Sequence, residues 1–138
     1  MSNIPLELDW VTRRAACNVG QVFDELCVGI RKDVEAINQA RGLKEPAHFD
    51  ATLLSDNSTI VVGQPNRNPR VVVKIGIVGD SIRVGDASQR LEWSVTVTLN
   101  DEGRCVLKSE DGALLEQWQF RKRALDHLFF VDQSGAIL

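Results

Sequence analysis

Tyrosine is absent from this chain, methionine occurs once and histidine only twice. With His48 and His127 as the sole imidazoles, acid–base and metal chemistry has few side chains to draw on. Catalytic and nucleotide-binding signatures are missing as well. There is no G-x-x-x-x-G-K-[ST], no G-x-G-x-x-G after a strand and no G-x-S-x-G elbow. Nor does any stretch approach the ~20 consecutive apolar residues of a membrane-spanning helix. The opening Met1-Ser2-Asn3-Ile4-Pro5-Leu6-Glu7 has neither a basic nor an apolar block, so a secretory leader is not expected.

The few cysteines are informative too. Three is an odd number, which fits a reducing compartment better than a disulfide framework. On one continuous helix, Cys17 and Cys27 would stand ~15 Å apart, beyond the ~7 Å limit for a bond. All three are expected to be small buried hydrophobes. Net charge is −3, so no global field draws the chain to nucleic acid or an anionic membrane. The eight Phe and Trp residues fall mostly at core positions, not interleaved with Lys and Arg as a base-stacking platform requires.

What remains is a well-patterned globular chain of 138 residues, 43% hydrophobic and 25% charged, sized for one domain spanning 1–138. Val19, Val22, Phe23, Leu26, Cys27, Ile30, Val34 and Ile37 recur at helical spacing. A helix from 5 to 41 would be ~55 Å long, so a break is expected near Asn18-Val19-Gly20. Gly42 is expected to terminate it.

From His48 to Phe120 the period changes to two. Leu91 to Leu99 is apolar at every odd position and polar at every even one, the mark of a half-buried strand. Ser55-Asp56-Asn57-Ser58, Gly79-Asp80, Asn100-Asp101-Glu102-Gly103 and Ser109-Glu110-Asp111-Gly112 read as turns. A last strand is expected from Ala113 towards Phe120, followed by a short helix; the alternative is a helix that begins earlier, near Leu114. Arg121-Lys122-Arg123 at a helix start opposes the dipole, and no Ser, Thr, Asp or Asn caps it. The expected fold is therefore α+β: a two-layer sandwich in which a long N-terminal helix and a short C-terminal helix pack on one face of a six- or seven-stranded antiparallel meander.

That arrangement leaves the other face open. Val61, Val72, Lys74, Thr96, Thr98 and Val106 share it and form the expected partner-binding surface, with exposed strand edges as a further docking element. A basic patch is conceivable from Arg67 and Arg70, in a Pro-bracketed loop, with Arg121, Lys122 and Arg123. A Cys–His site would need His127 to meet Cys17 or Cys27. His48 and Asp50, two apart, supply too few ligands for a metal.

The expected function is that of a non-enzymatic cytoplasmic adaptor or chaperone-like module, binding a protein partner or a second copy of itself. Neither cofactor, metal nor membrane is expected. The alternative is a small-ligand or metal site between helix and sheet, catalytic or not, involving His48, Asp50 or His127, with nucleic-acid binding through the basic patch ranked below it.

Overall fold

The computed structural model describes residues 7–66, 71–86 and 92–130. Helix α1 runs Trp10–Ala16 and α2 runs Val19–Ala40. The break between them falls where expected, and Asn18 explains it. Its side-chain amide donates to the Ala15 carbonyl and its oxygen accepts from the Gln21 N–H at 2.9 Å, closing one helix and capping the next. At the far end Gly42 adopts φ +62°. Leu43 N–H then reaches the Asn38 carbonyl and Gly42 N–H the Gln39 carbonyl, a Schellman closure.

Seven strands follow in the order of the chain: β1 Asp50–Leu53, β2 Thr59–Gly63, β3 Val72–Val78, β4 Ser81–Asp86, β5 Glu92–Leu99, β6 Cys105–Ser109 and β7 Leu114–Leu115. Each pairs antiparallel with the next, so the sheet is an uninterrupted meander. Gly79 (φ +62°) makes the two-residue turn between Val78 and Ser81. Positive φ at the first central position is the primed hairpin geometry that matches strand twist.

Register aligns the buried residues. Ile60, Ile75, Val84 and Trp93 form one cross-strand row, and Ile82, Val95 and Ser109 form another. Phe23, Leu26 and Ile30 of α2 pack on this face, all at or below 1% exposure. The C-terminal helix α3, Gln117–Phe129, completes the layer with Phe120, Leu125 and Phe129. The expected two-layer α+β architecture is thus the observed one.

Two expectations are corrected. Helix α3 begins at Gln117 and replaces most of the strand expected towards Phe120. Glu116 supplies the missing cap: its N–H donates to the Gln119 side-chain oxygen at 2.8 Å, and its carboxylate sits at the positive end of the dipole. The basic triplet therefore lies inside the helix, not at its start.

The second correction concerns the cysteines. Cys17 sits at the α1–α2 joint and is bonded to Cys105 of β6, with a Cα separation of 5.4 Å. Only Cys27 is a free, buried thiol, its pKa pushed up chiefly by burial and secondarily by Asp24, against the pull of Arg31. The bond matters because α1 buries none of its own residues. Arg13 also ties it down by donating to the Gly103 carbonyl, and Leu8, just before the helix, lies against Gly103.

Since the bond joins positions 88 apart, Cys105→Ser should cost about 2–4 kcal/mol in denaturant unfolding, and a reductant should do the same to the parent. A second expectation concerns acid. The Asp111 carboxylate accepts from the Ser109 hydroxyl and the Ala113 N–H, which hold its pKa below the usual carboxylate range. A lowered native pKa stabilises above the ordinary value of about 3.9 and is lost as pH falls through the native one. Thermal unfolding of Asp111→Asn should therefore decline less steeply than that of the parent on acidification below about pH 4.

Candidate functional site

Every even-numbered side chain of β3, every odd-numbered one of β4 and every even-numbered one of β5 turns away from the helices. Cross-strand rows on this outer face run Thr52–Val61–Lys74–Gly85–Glu92, then Thr59–Gly76–Arg83–Ser94, then Val78–Ser81–Thr96–Lys108–Leu114. Among the described residues no helix packs against it. All six residues expected to form a partner surface share this face, but not the same exposure. Lys74 and Thr96 are exposed, and Val61 and Thr98 are half-buried. Val72 and Val106 are only 7% and 6% exposed. Val72 lies over Gly63, where a Cβ would come within 2.7 Å of its Cγ1. Val106 stands opposite Thr98 across β5 and β6.

The centre of the face is hollow. Gly76 and Gly85 carry no side chains, and the result is an open trough of about 310 Å³. Thr59, Lys74, Arg83 and Glu92 line it. The register places each cation opposite a glycine: Lys74 opposite Gly85, Arg83 opposite Gly76. Arg83 pairs with Glu92 at 3.4 Å, with both side chains more than half exposed, while Lys74 has no ion-pair partner among the described residues. Sequence reading placed Lys74 on this face but missed the hollow. The signal was available in the two glycines on adjacent strands, provided the register was known.

The basic triplet does not act as one patch. Successive helical residues diverge by about 100°, and each cation is engaged elsewhere. Arg121 lies across Gly29 and bonds Asp33 at 2.7 Å, Lys122 pairs with Asp126, and Arg123 stacks 4.2 Å from the Trp93 ring. Arg67 and Arg70 lie outside the described residues.

Between helices and sheet, where a ligand site was the alternative, the space holds Phe23, Leu26, Ile30, Ile60 and Ile75. Asp50 is exposed and accepts from its neighbour Ala51 N–H, and His127 is exposed on α3. Among the described residues the buried Nδ1 of His48 finds no hydrogen-bond partner. Among the described residues, no group of three His, Cys, Asp or Glu stands close enough to hold a metal, and no helix is long and apolar enough to cross a membrane. A Cys–His site through Cys17 is excluded by its bond to Cys105.

A second concavity, about 420 Å³, lies between α2 and α3 over Ala36, Ala40, Leu125 and Phe129. Its charged rim is already neutralised by the Asp33–Arg121 and Lys122–Asp126 pairs.

Exposure divides the outer face into structural and available residues. Val72→Ala and Val106→Ala should each cost about 2 kcal/mol in denaturant unfolding, from lost apolar burial. Lys74→Ala and Thr96→Ala should change stability by less than about 0.5 kcal/mol. Comparison of this chain with protein-family models, with curated proteins and with solved structures finds no match.

Proposed function

We propose that this chain is a non-enzymatic recognition module that holds a protein partner on the outer face of its sheet. The observation carrying this reading is the contrast between the two faces. One is filled by α2 and α3, with Ile60, Val62, Ile75 and Ile82 at or near zero exposure. The other presents half-buried valine, exposed threonine and cations around a trough of about 310 Å³.

A mixed apolar and polar surface on rigid paired strands offers a partner contact area at little ordering cost. The strands that carry the trough, β3 and β4, are paired on both sides, so their shape is set before any partner arrives. The disulfide lies on the other side of the sheet from this surface, because Cys105 shares the inner parity of Leu107, and it meets Thr98 only at its backbone carbonyl. The reading therefore holds in either redox compartment.

Affinity capture from the native cell extract tests it with two variants. Thr96→Arg places a long cation at the middle of the outer face; Glu35→Arg changes charge on an exposed position of α2. A chain retained by the parent and by Glu35→Arg should be lost from Thr96→Arg, with melting temperatures alike. Identical retention by all three proteins rejects the outer face as the recognition surface.

A further inference from the structure

Resting on the reading that the outer face receives a protein, we propose that its trough seats a carboxylate side chain from an acidic, extended segment of that partner, held between Lys74 and Arg83. The register carries the geometry. Lys74 and Arg83 are diagonal neighbours across β3 and β4, a spacing of about 7–8 Å between backbones. Two long cations at that distance can close on one anion from opposite sides. The glycine facing each of them keeps the space between empty.

At Gly85 that space is open, since a Cβ built there meets nothing within 4 Å. At Gly76 the Thr59 hydroxyl lies 3.0 Å from the same point and adds a hydrogen-bond donor to the wall.

Chemistry selects the occupant. Both strands spend their backbone N–H groups in ladders on either side, so the floor offers no nest of free amides of the kind that binds phosphate. Recognition falls to an ammonium, a guanidinium and a hydroxyl, a set suited to a carboxylate. Glu92 on the rim already pairs with Arg83 at 3.4 Å, so an incoming carboxylate takes its place there by exchange. Val61 beside Lys74, and the exposed Val78, supply apolar contact for the rest of a peptide.

The test is fluorescence anisotropy with a labelled hexaglutamate peptide, and a hexalysine peptide as control. Hexaglutamate should bind at low ionic strength and weaken as salt rises; hexalysine should not bind. Lys74→Ala and Arg83→Ala should each weaken binding about tenfold, the loss of one charge-assisted contact. Lys108→Ala, on the same face outside the trough, should leave it unchanged. Gly85→Leu fills the hollow and should abolish binding. If that variant does not fold, Lys74→Glu applies the same test by charge reversal.

Absence of hexaglutamate binding, or equal binding by parent and Gly85→Leu, overturns the proposal. If hexaglutamate fails while Thr96→Arg still loses the captured chain, the acidic specificity alone falls. If hexaglutamate binds with these sensitivities but Thr96→Arg loses nothing, the trough chemistry stands and the wider face reading falls.

Discussion

The whole molecule depends on period-two alternation being kept in phase across seven paired strands. A slip of one residue in any strand would turn its valines and isoleucines to water and its lysines or threonines to the core. Ile60, Ile75, Val84 and Trp93 form one row only because that phase is kept from strand to strand. The Gly79-Asp80 turn and the two glycine-terminated turns at Gly103 and Gly112 hold that phase. Upon the resulting apolar face α2 lays a stripe that it could bury nowhere else.

The helices are joined to each other by polar contacts that work because of small residues. Gly29 lets the Arg121 side chain cross α2 and meet Asp33. Further along, Arg41 donates to the Phe129 carbonyl at 2.8 Å and closes the end of α3. Together with the Gln117–Glu25 contact these ties run in the same chain direction, so α2 and α3 lie parallel. Asn38 extends the same logic to the sheet, satisfying both the N–H and the carbonyl of Phe49 just before β1. The helix layer is thereby committed to the inner face, and the outer face is left to other uses. There, two glycines weaken the strands locally and in exchange open a hollow between two cations.

Much of this was legible from local pattern. The alternation from Glu92 to Leu99, the stripe from Val22 to Ile37, the Gly42 closure and the break at Asn18 are all properties of neighbours in sequence. The errors share a different origin. Cys17 and Cys105 meet only because the α1–α2 joint is carried to the end of β6. Glu116 escaped notice as a cap because glutamate is a weak one on its own; here Gln119 completes it, and Arg104, just before β6, and the Trp118 indole hold its carboxylate. Val72 and Val106 were assigned by parity to an exposed face, and parity was right, but exposure depends on what stands in the neighbouring strand. Arg121, Lys122 and Arg123 are adjacent in sequence, and a helix is the structure that separates adjacent residues most effectively.

Periodicity and turn chemistry therefore determined the α+β class, the meander and which residues share a face, because those follow from backbone geometry within a few residues. Tertiary structure alone decided the disulfide, the partners of the basic triplet and the trough at Gly76 and Gly85. Each of these depends on register between strands or on the direction one helix takes across another, and such distances do not exist until the chain has closed on itself.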